Sequence, residues 1–309
     1  MISRSTSMTN LQESHQLRGA AAHIESIDSR CAQPDVFTID VEDWFHILEV
    51  DGASDSAAFD ALPSQVEANF ESLLDILAAC NVRATCFALG TVAERFPRLL
   101  RDAANLGHDI ASHGYGHQVV YSITRTQFRE DIRKAKAVIE DATGRPVKGY
   151  RAPGFSITAK TPWAFDEILE AGYVFDSSVF PARHGHGGIP GACRSAHVIR
   201  STAGRLVEFP ISIADTPFGP QCCFGGGYLR IFPLWFVQAM ARRVREDGRG
   251  VVWYIHPREI NPHHPRLQLP LRRRFKAYVN LRGTAGKIAT ILQGGNFATF
   301  SELADAFPS

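Results

Sequence analysis

The sequence predicts an α/β fold in which a parallel sheet curls into a barrel with helical cover. Three observations predict it. From Asp35 onward, short apolar stretches of strand length alternate with longer stretches of helical spacing. Seven or eight such units recur, which suits a barrel better than an open sheet. The reactive polar residues fall at the ends of the strand-like stretches, and in a parallel barrel those ends share one face.

The elements follow in order. Val36–Val41 reads as the first strand. Ser64 begins a helix, with Glu67 completing a capping box and Val66, Phe70, Leu73, Leu74 and Leu77 along one face. Ala84–Leu89 is a compact apolar strand, and a helix over about Val92–Asn105 stops at Gly107. Asp109–Ser112 is a short strand. Thr124 caps a helix that aligns Phe128, Ile132, Ala135 and Ile139, and Gly144 with Pro146 ends it. Gly149–Ala152 is strand-like, and Pro162 suits the first turn of a helix. Tyr173–Asp176, Leu206–Ile211, Val251–Ile255 and Phe297–Phe300 read as further strands, with helices from about Pro233 and Phe275 between the last three. Pro181–Gly191 and Gly225-Gly226-Gly227 read as long loops.

A length of 309 residues allows one large domain or two medium ones. The formal net charge of +1 excludes a whole-molecule field that would draw the chain to nucleic acid, and Arg272-Arg273-Arg274 reads as a solvated helix start. No apolar run approaches the ~20 residues of a membrane span. Residues 1–34 are polar, with no apolar core of a secretory signal. The expectation is a flexible leader ahead of a domain over 35–309, and a cytoplasmic location, peripheral at the inner membrane through partners. Six cysteines without CxxC spacing read as reduced, mostly buried thiols, the Cys222-Cys223 pair included.

Five clusters carry chemistry. Asp40-Val41-Glu42-Asp43 closes the first strand with three carboxylates, which coexist best around a cation. His113-Gly114-Tyr115-Gly116-His117 sets two imidazoles four apart, and its glycines favour a loop wrapped around an ion. Arg151, before Ala152-Pro153-Gly154, can grip a carboxylate bidentately and fix its aim. Phe175-Asp176-Ser177-Ser178 and Trp253-Tyr254-Ile255-His256-Pro257 complete the face. One carboxylate and two histidines leave coordination positions open, as a catalytic rather than a structural site does. A second carboxylate would serve as general base and His256 as general acid, a set that hydrolyses an amide or ester.

In this order the clusters resemble the NodB-type polysaccharide deacetylases, carbohydrate esterase family four, from about Asp35 to Ala304. Asp40-Val41-Glu42-Asp43-Trp44, Ser112–His117, Gly149–Gly154, Phe175–Pro181, His256-Pro257 and Tyr278–Arg282 look most like the subgroup found at exosortase (PEP-CTERM) exopolysaccharide loci, whose own C-terminal part would begin at about 182. The resemblance implies a distorted (β/α) barrel of about seven units. It implies one divalent metal, zinc first with cobalt or nickel as alternatives, on His113, His117 and a carboxylate. It also implies Asp40 as base, Arg151 orienting that base, His256 as acid, Asp176 tuning the acid, and the Gly154 N–H polarising the acetyl carbonyl. Most members carry two adjacent aspartates where this chain has Asp40-Val41-Glu42-Asp43, so the ligand is Glu42 or Asp43, with Glu42 on the side of Asp40 if the strand continues.

The expected activity is removal of N-acetyl groups from N-acetylhexosamine units of a bacterial exopolysaccharide or its precursor. The expected partners are an N-acetylated glycan and membrane-bound exopolysaccharide machinery, with no nucleic acid. Hydrolysis of another amide, a cyclic imide or a sugar O-acetyl ester is the alternative on the same scaffold. An inactive glycan-binding module is the alternative of another class.

Overall fold

The structure is a computed structural model that describes residues 33–47, 62–185, 187–217 and 219–307. The expected leader over 1–34 and Cys31 lie almost wholly outside the described residues. The chain runs through β1 (Val36–Val41), α1 (Val66–Ala79), β2 (Thr85–Ala88), α2 (Gly90–Arg95), α3 (Pro97–Asn105), β3 (Asp109–Ser112), α4 (Arg125–Thr143), β4 (Gly149–Tyr150), α5 (Trp163–Glu170) and β5 (Phe175–Asp176). The second half comprises β6 (His197–Ser201), β7 (Gly204–Glu208), β8 (Ala214–Thr216), β9 (Gly219–Gln221), α6 (Gly226–Ile231), α7 (Leu234–Glu246), β10 (Val252–Ile255), α8 (Leu271–Tyr278), α9 (Thr284–Gln293) and α10 (Phe300–Asp305).

Eight strands form one curled sheet in the order β10-β1-β2-β3-β4-β5-β7-β6. Every neighbouring pair is parallel except the β6–β7 hairpin. The sheet is a half-barrel: no strand pairing joins β10 to β6 among the described residues. Side chains bridge part of the opening. Val252 N donates to Ser212 Oγ at 2.9 Å, and Arg249 reaches the Ile213 carbonyl.

Strand periodicity sorts the side chains. Phe37, Ile39 and Val41 pack under the helices with Phe70, Leu73 and Leu77 of α1, so Thr38, Asp40 and then Glu42 take the concave side. Cys86 and Ala88 join that outer core, whereas Phe87, Ala111, Phe175, Val207, Val252 and Tyr254 belong to an inner one closed by Phe300. Continuing the alternation places His113, Arg151 and His256 inward. Their level is set by register, since Val41, Ala88, Ser112, Tyr150, Asp176 and Glu208 pair successively across the sheet. The C-terminal strand ends therefore make one rim.

Several local expectations change. Ser64 does not cap α1; its hydroxyl donates to Asp43, and the N-cap position is Gln65. The helix expected over Val92–Asn105 splits at Phe96, because a residue before proline is driven out of the helical region; Pro97 then starts α3. Phe297 makes one bridge to Asp35, and Phe300 begins a helix rather than ending a strand. The helix expected from Phe275 is two, α8 and α9. The glycine run at 225–227 opens α6 instead of forming a long loop. Thr124 and Gly144 behave as read, with a reciprocal Thr124–Gln127 capping box and a left-handed Gly144.

Candidate active site

Glu42, His113 and His117 converge at the rim. One ligand atom from each lies within 4.8 Å of the others, the only such grouping found among the described residues. Glu42 Oε1 is 2.9 Å from His113 Nε2 and 2.8 Å from His117 Nε2. His113 Nδ1 is 2.8 Å from the Arg151 carbonyl, which can only accept; that ring nitrogen therefore carries a proton, and Nε2 is the nitrogen turned to Glu42. The loop between the histidines is pinned by Asp131 of α4, whose carboxylate accepts from Tyr115 N at 2.8 Å and Gly116 N at 3.2 Å. Gly114 sits at φ +78°, where a Cβ would lie 2.8 Å from Asp131 Oδ2. His117 also adopts a positive φ, 57°, a conformation the loop must enforce. Two imidazoles and a carboxylate with their lone pairs converging fit a divalent cation of the zinc class.

Asp43, the other candidate ligand, turns away. It accepts from Trp44 N at 2.9 Å and Gln65 N at 3.1 Å, serving the start of α1. The strand ends at Val41 and Glu42 N turns back to the Asp40 carbonyl at 2.9 Å, leaving Glu42 on the side of Asp40 and Asp43 directed to the start of α1.

Asp40 is 2 % exposed and receives Arg151 Nη1 at 2.7 Å. The grip is single rather than the bidentate one expected. The rest of the Arg151 guanidinium is spent on Thr38 Oγ1, the Ser177 carbonyl and Ser177 Oγ, over the Phe87 ring. His256 Nε2 lies 3.8 Å from Asp40 Oδ2 and 3.8 Å from Glu42 Oε2, so it faces both carboxylates.

Asp176 is not the partner of His256. It bonds Ser178 Oγ at 2.6 Å and pairs in register with Glu208, on the side of the strand away from the cavity. Burial, then Asp176 beside it, pushes the Glu208 carboxyl well above its usual range; burial raises Asp176 too. The carboxylate on His256 is Glu259, which sequence reasoning missed. Its Oε1 is 2.6 Å from His256 Nδ1 and accepts the His256 N–H at 3.2 Å. Arg230 holds the other oxygen. The available signal was the His-Pro-x-Glu spacing, that of a capped turn, which forms at Pro257–Ile260. Burial pushes the Glu259 carboxyl up, but Arg230 and His256 outweigh it and bring it to about 2. Burial disfavours the His256 imidazolium, yet Glu42 and Glu259 overcome this and raise its pKa above the usual value. Glu42 is likewise opposed by burial but held well below its usual range by His117, His256 and His113.

A cavity of about 340 Å³ opens over this set, walled by Asp40, Glu42, His117, Gly154, Phe155, Tyr254 and His256, and also by Arg258, Arg273 and Lys276. Gly154 sits on the wall at φ +62°.

A family model described as polysaccharide deacetylase matches residues 53–173. Residues 53–173 are thus similar to a polysaccharide deacetylase domain. A second model, a domain of unknown function (DUF3473), matches residues 177–305 directly behind it. The chain is 33% identical over 96 residues to the peptidoglycan-N-acetylglucosamine deacetylase of Bacillus cereus, covering 31% of this chain and 35% of that protein. It is 27% identical over 113 residues to the peptidoglycan deacetylase of Helicobacter pylori, covering 37% and 38%. The chain thus spans little more than a third of the length of these curated relatives. In fold it is similar to a candidate polysaccharide deacetylase from Mycobacterium smegmatis, with a TM-score of 0.62 at 20% identity over 91% of this chain and 92% of that one. It is also similar to Puue allantoinase, with a TM-score of 0.57 at 15% identity over 87% and 88%. The deacetylase match contains His113, His117 and Arg151 but not the whole site: Asp40 and Glu42 precede it, and His256, Glu259 and Arg230 lie in the second match.

Proposed function

We propose that this protein is a metal-dependent hydrolase that removes N-acetyl groups from N-acetylhexosamine units of a bacterial exopolysaccharide or its precursor. The observation that carries the reading is the placement of His256 Nε2 at 3.8 Å from both Asp40 and Glu42, with Glu42 shared by His113 and His117. It is an acid facing a base and an ion site across one cavity.

Glu42, His113 and His117 would hold the ion, zinc by preference, with cobalt or nickel as substitutes. Bound there, it supplies Lewis acidity toward the acetyl carbonyl and the attacking water. Asp40 takes the proton of that water as general base, its charge and aim fixed by Arg151. The Gly154 N–H assists at the carbonyl oxygen as charge develops. His256 gives its proton to the departing amine, and Glu259 keeps the ring oriented and charged until then. The resemblance to exosortase-locus deacetylases supports an exopolysaccharide substrate, reached through membrane-bound machinery from the cytoplasmic side. No helix among the described residues is long and apolar enough to cross a membrane.

The kinship of fold with an allantoinase keeps a cyclic imide or ureide as the second reading. Acetate release from N-acetylglucosamine oligomers with added zinc, cobalt or nickel tests the first. Turnover of a ureide without acetate release would establish the second, and stoichiometric glycan binding with no turnover would mark an inactive binding module.

A further inference from the structure

We infer that the glycan bound here carries an oxyanion, a carboxylate or a phosphate, and that Arg258 binds it. The inference rests on the deacetylase reading and extends it to the chemical class of substrate. Arg258 lies on the cavity wall, in the turn between His256 and Glu259. Its Nε and Nη1 are sealed from solvent and meet no hydrogen-bond partner among the described residues. The guanidinia of Arg151 and Arg230 differ: each is bonded to a carboxylate and to backbone carbonyls.

The carboxylates near Arg258 among the described residues are already engaged. Asp40 is held by Arg151, Glu42 by two histidines, and Glu259 by Arg230 and His256. Two guanidinium nitrogens kept from water without a partner are costly, and the cost is recovered when this half-buried side chain turns them to a planar oxyanion in the cavity. Arg273 and Lys276, three apart on α8 and so on one face, add positive charge to the same wall. Gly227 lets α8 close on the site, since a Cβ there would lie 2.7 Å from Lys276 Cγ. Asp40 and Glu42 are the only carboxylates among the described residues of the lining, and both are already engaged. A neutral N-acetylhexosamine polymer offers Arg258 only hydroxyls and amide carbonyls; a uronic acid or phosphorylated sugar beside the acetylated unit offers a charged acceptor.

The test uses the metal-loaded full chain and three probes. These are a neutral N-acetylglucosamine tetramer, a tetramer alternating N-acetylglucosamine with glucuronate, and N-acetylglucosamine 1-phosphate. Acetate release gives kcat/KM, and calorimetry gives binding. The expected preference for a charged probe over the neutral one is roughly 10- to 100-fold, the worth of charge-assisted hydrogen bonds. Arg258→Gln should bring the ratio within about twofold of unity, and Arg258→Lys, which keeps the charge but loses the fork, should leave it in between. Preference for the uronate or for the phosphate probe identifies the oxyanion. An equal ratio in wild type and Arg258→Gln overturns the inference, as does phosphate binding that Arg258→Gln retains in full, which would place the anion on the metal. If none of the probes releases acetate, the deacetylase reading fails, and the binding ratios alone still decide on the oxyanion. Should Arg258→Gln not fold, the same ratios in Arg258→Lys decide.

Discussion

In the proposed reaction His256 must be charged when the amine departs, although its burial opposes charge. Its raised pKa means the imidazolium persists to higher pH than in a free histidine, and turnover is lost as pH rises through that value. Glu259→Gln removes the carboxylate touching Nδ1, so the folded-state pKa falls and the alkaline limb of the kcat profile moves to lower pH. Asp176→Asn, on the far side of its strand, should leave that limb in place. A shift in Asp176→Asn equal to that in Glu259→Gln would return the tuning role to Asp176. The ligand assignment is testable in the same way. His113→Ala, His117→Ala and Glu42→Gln should lose bound metal and turnover together. Asp40→Asn should retain metal while turnover falls roughly 10²–10⁴-fold, the usual share of a general base. Asp43→Asn should keep metal and cost about 1 kcal/mol of stability, because its amide oxygen still accepts from Trp44 N and Gln65 N but its Nδ2 cannot accept from the Ser64 hydroxyl; metal analysis and thermal melts separate the two carboxylates.

Among the elements, period-two alternation decides which rim residues reach the cavity. It was legible: from Phe37, Ile39 and Val41 facing the helices, Glu42 follows Asp40 inward and Asp43 does not. The same count applied to Phe175 puts Ser177 inward, where it bonds Arg151, and Asp176 outward against Glu208. Position at a strand end is therefore a weaker signal than parity along the strand. Asp131 was not legible, because nothing within α4 marks a residue whose partners are amides of a loop that precedes the helix. It carries a prediction of its own. With Tyr115 N and Gly116 N released, Asp131→Ala should weaken metal affinity roughly 10- to 100-fold, as loss of outer support around a metal site does. Equilibrium dialysis against zinc would show it, and unchanged affinity would mean that Gly114 and the positive φ of His117 hold the loop unaided.

Across the whole molecule the site is one piece only because the sheet joins distant segments. β1 lies between β2 of the deacetylase match and β10 of the following one, so Asp40 and His256 meet across a pairing of residues more than two hundred apart in sequence. Alternation of strands and helices made the parallel sheet legible. The opening between β10 and β6 was not, since β6 and β7 form a hairpin that ends the parallel order and Ser212 and Arg249 bridge by side chain. Asp35 is the fastening of the β1–β10 seam. Its buried carboxylate accepts from Val251 N and Trp253 Nε1, each at 2.9 Å, and pairs with Arg245, while its backbone bonds Asn296 and Ala298. Asp35→Ala would strand the buried amide and indole donors, at a cost of roughly 2–4 kcal/mol. Tm should fall by roughly 5–10 °C for a chain of this size. Metal content well below the melt should be unchanged, because Glu42, His113 and His117 lie at the other end of these strands. Loss of metal in Asp35→Ala at low temperature would show instead that the seam sets the geometry of the rim, and that strand register and ion site form a single cooperative unit.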